Sequence, residues 1–126
     1  MTNNLLKNSL NLVIPGSVVV RNNCAKKGFN EIVRSDGDSY YTWKAASQMW
    51  VLYQIDSMTF PVKDVCKVEV RIYYEGKSPD VKKCIESIED CFQGILWFDK
   101  KQIASSCASK MMEDIAYPRI ELVFHW

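Results

Sequence analysis

The sequence predicts an α+β fold, a small mostly antiparallel sheet with two main helices packed on it. Three observations carry that reading. Residues 65–74 alternate apolar and charged side chains with the period of two expected of a half-solvated strand. Val81, Cys84, Ile85, Ile88, Cys91, Phe92 and Ile95 recur at spacings of three and four, the stripe of an amphipathic helix. Arg119-Ile-Glu-Leu-Val-Phe124 alternates again and closes the sheet.

The elements follow in order. Leu10 to Ile14 reads as a first strand that stops at the turn pair Pro15-Gly16, before Ser17-Val-Val-Val-Arg21. From Asn22 to Asp38 the chain is polar, with Asn22-Asn23, Lys26-Lys27-Gly28 and Asp36-Gly37, and reads as a mobile loop in which only Phe29 to Val33 suits a short strand. Ser39 is placed to cap a helix from Tyr40 to about Asp56. Tyr41, Ala45, Gln48/Met49 and Leu52 share one face of that helix, and Trp43, Ala46, Trp50 and Tyr53 widen the apolar surface. So wide a surface implies burial on two sides, by the sheet and a partner subunit, or else a deep core.

After the strand Val65–Tyr74, Glu75-Gly76-Lys77-Ser78-Pro79 turns into the second helix. Ser78, Pro79 and Asp80 supply a capping hydroxyl, a proline suited to the first helical position and an acid favourable to the helix dipole, and Gly94 suits the exit. Gln102 to Met111 is small and strand-compatible. The order is therefore strand, loop, helix, strand, helix, strand, strand.

A chain of 126 residues, 48% hydrophobic and 25% charged, is sized and composed for one globular domain spanning residues 1–126. The net charge of +1 supplies no strong field for nucleic acid or an anionic membrane. Charge is unevenly spread, because Lys7, Arg21, Lys26, Lys27 and Arg34 stand against Glu31 alone in the first 35 residues, leaving the remainder net acidic. The five cysteines form no Cys-x-x-Cys pair and are odd in number, which fits a reduced, cytoplasmic setting. Cys84 and Cys91 fall on the helix stripe, and Cys66 and Cys107 fall in strand-like runs, where cysteine acts as small apolar filling. His125 is the only histidine, which argues against a zinc site and against a histidine-based triad. The N-terminal apolar run is broken by Lys7, Asn8, Ser9, Asn11 and Pro15, so no signal peptide is visible, and no stretch approaches the ~20 apolar residues of a membrane span.

Asp80 and Asp99 frame the second helix, one at its start and one just past its end. Two carboxylates brought together could hold a divalent metal for phosphodiester cleavage. An acid in the first turn of a helix is otherwise a capping or dipole residue.

With these residues in place the chain resembles the RusA family, small dimeric Holliday-junction resolvases found in phages and prophages. In that family an N-terminal strand ends at a Pro-Gly-like turn followed by basic residues, as Pro15-Gly16 and Arg21 do here. A helix and a strand then lead into an Asp-x-Asp-Asn signature that opens a second helix, and a hydrophobic–Asp-Asp-x-Gln segment precedes the closing strands. Trp97-Phe98-Asp99-Lys100-Lys101-Gln102-Ile103 resembles that segment, and Lys110 falls where the family often carries a lysine. The resemblance implies a homodimer, branched DNA as ligand and magnesium-dependent cleavage.

The departures fall on the catalytic positions. Asp80 matches the first signature acid, but Lys82 stands at the second and Lys83 at the asparagine; the family's later helix lysine lines up with Glu86. Asp99 matches the first of the paired aspartates and Lys100 occupies the second. A lysine there puts a fixed positive charge where a cation would sit, and two unit charges about 4 Å apart repel by ~4 kcal/mol at an effective dielectric near 20. Magnesium at Asp80 and Asp99 is therefore expected to be weakly held or absent, and catalysis by these two acids a remnant. Lysines contact phosphates directly, so Arg21, Lys82, Lys83, Lys100, Lys101 and Lys110 become the expected nucleic-acid-binding residues. The plainer reading of Lys82, Lys83, Glu86, Glu89, Asp90 and Gln93 is a solvated helix face. From Gly76 to Lys110 six lysines meet five acids, far from a strongly basic groove.

Three functions stay open at this point. One is a RusA-like dimer that binds branched or duplex DNA with nuclease activity weakened or lost. Another is an active magnesium-dependent endonuclease drawing ligands from Glu86, Glu89 or Asp90. The third is a phage-type inhibitor that uses this scaffold to bind a host protein.

Overall fold

The structure is a computed structural model that describes residues 6–20 and 30–126, with the side chains of the first helix described from Ser39 onward. Its elements run β1 (Ser9–Pro15), α1 (Asn30–Gln54), β2 (Cys66–Tyr74), α2 (Val81–Cys91), a 3₁₀ turn at Lys100–Gln102, β3 (Ile103–Glu113) and β4 (Arg119–His125). The strands form one four-stranded sheet in the order β1-β4-β2-β3.

β4 runs antiparallel to β1 and to β2, whereas β3 lies parallel to β2, so the sheet is mixed, with two of its three strand pairs antiparallel. The cause is α2. A strand joined to its neighbour through a helix returns to the end where it began, and such a crossover yields a parallel pair. β3 is consequently an edge strand, with register shifts against β2 between Cys66/Lys67 and Val70/Arg71.

One face of the sheet is the core. Leu12, Ile14, Cys66, Val68, Val70, Ile72, Ile120, Leu122 and Phe124 alternate inward and lie beneath the helices, together with Phe92, Leu96 and Trp97. The other face is a charged lattice. Arg71 Nε donates to Glu121 at 3.1 Å, and Arg119 reaches Glu121 at 2.8 Å and Asp114 at 2.9 Å. Arg119 also lies 3.8 Å from the centre of the Tyr73 ring, whose apolar body it covers.

α2 buries Cys84, Ser87, Ile88 and Cys91, as its sequence stripe requires, and Gly94 takes φ +89 just beyond it, a left-handed conformation that favours glycine. α1 departs from expectation in two ways. It begins at Asn30, so Asn30–Val33 is helical rather than a short strand and Ser39 lies inside the helix instead of capping it; Phe29 is outside the described residues. Its buried side is Tyr40, Trp43, Ser47 and Val51, while Tyr41, Met49, Leu52 and Tyr53 face solvent. Apolar residues on both sides leave the choice to polar anchors. Gln48 Nε2 donates to Cys91 O at 2.8 Å, and Gln54 Nε2 donates to Val13 O at 3.0 Å, which turn that side toward α2 and β1. Among the described residues no helix is long and apolar enough to cross a membrane.

Candidate functional site

Both framing acids are engaged in local backbone structure. Asp80 takes the N-cap position of α2, where its Oδ1 accepts from Lys83 N at 3.1 Å. Asp99 caps the 3₁₀ turn, with Oδ1 accepting from Lys101 N at 3.0 Å. Gln102 completes that box. Its Oε1 accepts from Asp99 N at 2.8 Å, and its Nε2 donates to Val62 O and to Asp64 O, each at 2.9 Å.

The acids also stand apart. Lys100 N donates to Gln93 Oε1 at 3.0 Å and Trp97 Nε1 to Glu89 O at 3.2 Å, which fixes Asp99 at the C-terminal end of α2. Asp80 is at the other end, and a helix of this length spans about 16 Å at ~1.5 Å per residue. One ion with ligands at ~2.1 Å cannot bridge such a gap. No group of three or more His, Cys, Asp or Glu among the described residues is arranged to hold a metal ion.

A different set of side chains does converge. Tyr40, Lys83, Glu86, Ser87, Glu89, Asp90 and Lys100 line a polar cavity of about 370 Å³ between α1, α2 and the 3₁₀ turn. Asp90 accepts from the Tyr40 hydroxyl and from Lys44 Nζ, the latter at 3.3 Å. Glu89 Oε2 accepts from Ser106 Oγ at 2.7 Å. Thus Glu86, Glu89 and Asp90 are brought together, but two of them are already tied to protein groups. Two lysines against three carboxylates give the cavity no excess of positive charge.

The expected binding residues distribute unevenly. Lys83 and Lys100 share the polar cavity. Lys82 lines a separate groove with Val81, Ile85 and the edge strand at Ser106–Ala108. Lys101 is exposed on the 3₁₀ turn. Lys110 lies on the outer sheet face, 5.6 Å from the Tyr73 ring centre. Arg21 lies outside the described residues.

Three of the described cysteines, Cys66, Cys84 and Cys91, are buried and held as neutral thiols. Burial pushes the Cys66 thiol up to about 11. Burial and the nearby Asp80 charge raise Cys84 to about 11. Cys91 is raised to about 12, by burial first, with Lys44 opposing and Asp90 adding to the rise. Thiols held neutral in this way act as packing groups.

Tyr40 and Lys44 are the site residues that sequence reasoning missed. Their partner Asp90 is 50 and 46 positions away, and no local pattern announces such a pairing. No protein-family model matches the chain, and no curated protein matches it.

Proposed function

We propose that this chain is a RusA-like homodimeric module that binds branched or duplex DNA, with metal-dependent cleavage weakened or lost. The observation that carries the loss of cleavage is the engagement of Asp80 and Asp99 as caps at opposite ends of α2. The order strand, helix, strand, helix, strand, strand supports the RusA-like part, because it is the order on which the resemblance rests. Lys82, Lys83, Lys100 and Lys101 are exposed and supply cations for phosphate.

The test is a fluorescence-anisotropy titration of a four-way junction across salt concentrations, with and without magnesium. Expected is binding that needs no magnesium and weakens steeply with salt, with Lys83→Ala and Lys100→Ala each lowering the salt slope by about one. Magnesium-dependent cleavage would restore the endonuclease reading and the candidate ligands Glu86, Glu89 and Asp90. Absence of junction binding at low salt would leave the third reading, a phage-type module that binds a host protein. The balance of two lysines against three carboxylates in the polar cavity favours that reading over DNA at the cavity itself.

A further inference from the structure

The two edges of the sheet are unlike. Asn8 and Trp126 exchange both backbone bonds, at 2.9 and 3.1 Å, so every second residue of β1 from there bonds β4, and Ser9, Asn11, Val13 and Pro15 turn their backbones outward. That edge is blunted. Gln54 occupies it, its Oε1 accepting from Val13 N at 3.2 Å and its Nε2 donating to Val13 O at 3.0 Å, and Pro15 has no N–H to offer.

β3 forms the other edge. Tyr74 O accepts from Asp114 N at 2.8 Å, so Tyr74 and every second residue before it, Val70 and Val68 included, direct their backbones at β3. Their register partners Ala108 and Ser106 therefore turn N–H and C=O outward. Among the described residues no hydrogen bond reaches those four groups. The register shifts on either side confine this open stretch to residues 105–108, and β3 contains no proline to close it. Beside it, between β3 and α2, runs a groove of about 630 Å³ with Val81, Ile85 and Ala108 as apolar lining and Lys82, Glu86 and Glu89 as charged lining.

We infer that this edge takes a short extended peptide segment of another protein as a fifth strand, with alternate side chains of the segment lying in the groove. Backbone groups supply the affinity, because an antiparallel strand laid along residues 105–108 exchanges two bonds with Ser106 and two with Ala108. Side chains supply the selection. Successive residues of a strand point to opposite faces, so every second residue of the segment meets α2. α2 runs back against β3, which puts Glu89 at the Ser106 end, where its Oε2 accepts from Ser106 Oγ at 2.7 Å, and Val81 toward Ala108. The segment therefore carries a basic side chain beside Ser106, facing Glu86 and Glu89, and an apolar one two residues along, facing Val81 and Ile85. Two carboxylates against one lysine make the groove a poor place for a phosphate chain.

Peptide binding at this edge does not depend on the DNA reading, and junction affinity is measured separately. Amide hydrogen exchange of the full chain, followed by nuclear magnetic resonance, is the experiment, and the probes are capped synthetic hexapeptides that alternate threonine with one basic and two apolar residues. In the protein alone the Cys107 amide, which faces β2, should exchange slowly, and those of Ser106 and Ala108 should exchange fast. Peptide at about ten times its dissociation constant should slow both about tenfold. The same peptide N-methylated on its pairing edge, or with glutamate for its basic residue, should bind about tenfold more weakly or worse. Ala108→Pro removes one outward N–H and no bond to β2, and Val81→Glu puts an acid in a first helical turn that tolerates it; each should keep the parent's fold and weaken the peptide about tenfold. An N-methylated peptide that binds as well as its parent, or no binding by any probe at about 1 mM, would overturn the proposal. Protection of Ser106 and Ala108 without peptide, rising with protein concentration, would assign the edge to a second copy of the chain and overturn it equally.

Discussion

Gln102→Ala is the substitution whose cost the geometry specifies most closely. The side chain makes three hydrogen bonds, donating to Val62 O and Asp64 O at 2.9 Å and accepting from Asp99 N at 2.8 Å. It clamps the start of β3 to the segment that leads into β2. Each such bond contributes about 0.5–1.5 kcal/mol net, and an acceptor left unpaired beside the buried Val62 cannot fully recover water. The expected loss is about 2–3 kcal/mol, and at a urea slope of roughly 1.5 kcal/mol per M it lowers the midpoint by about 1–2 M. Gln102→Glu discriminates between hydrogen bonding and shape. The carboxylate fills the same space and still accepts from Asp99, but it donates to neither carbonyl and faces both with negative charge. It should therefore destabilise at least as much as alanine. A Gln102→Ala shift of the urea midpoint below about 0.3 M, or a Gln102→Glu variant that unfolds with the parent, would refute the clamp.

Asp80→Ala should cost about 1 kcal/mol while Asp80→Asn is nearly neutral, since an amide oxygen caps as a carboxylate does; chemical denaturation of both variants separates a cap from a metal ligand. The carboxyls of Asp114 and Glu121 are held below their ordinary values, first by hydrogen bonds from Arg119. Stability from a lowered carboxyl is present above its unfolded value and lost as pH falls through its folded one, so the destabilisation caused by Arg119→Met should be full at neutral pH and shrink on acidification. A pH series of thermal melts reads this directly. In a Cys24→Ser background only Cys107, the exposed thiol, should react with a disulfide reagent in the native state, while Cys66, Cys84 and Cys91 react after unfolding.

The fold was legible where one periodicity met one buried face. β2, α2 and β4 lie within a residue or two of their apolar patterns, because each has a single polar side that leaves no choice of orientation. α1 had no such side. Its residues from Tyr40 to Gln54 satisfy several apolar faces at once, and the buried one was selected by Gln48 and Gln54 bonding to Cys91 and Val13, contacts 43 and 41 positions away. The direction of β3 was hidden for a related reason. Ala104, Ser105, Ser106, Ala108 and Ser109 are small and carry no strong periodicity, so only the crossover through α2 settles that the strand runs parallel to β2.

Asp80 and Asp99 were legible as acids framing α2, with capping as the alternative to metal binding, and both cap a helical turn. Asp80 and Asp99 are close in the chain's logic, since each opens a helical turn, and that is also why they part in space. A capping carboxylate belongs at the N-terminus of its own element, and two successive elements joined end to end put their N-termini a helix length apart. Bringing both acids onto one ion would require Asp80 to release Lys83 N and Asp99 to release Lys101 N, and would still leave the length of α2 between them. Lysines face no such limit. The side chains of Lys83 and Lys100 reach one cavity from different elements, because a long flexible stem spans distances that a capping aspartate cannot. Two lysines therefore share a cavity that neither capping acid lines. Three carboxylates stand beside those lysines: Glu86→Gln removes one of them without touching the bonds of Glu89 to Ser106 or of Asp90 to Tyr40 and Lys44, and should strengthen junction binding at low salt if DNA reaches the cavity. Anisotropy titrations of parent and variant at matched salt measure it, and equal affinity would place DNA elsewhere on the molecule.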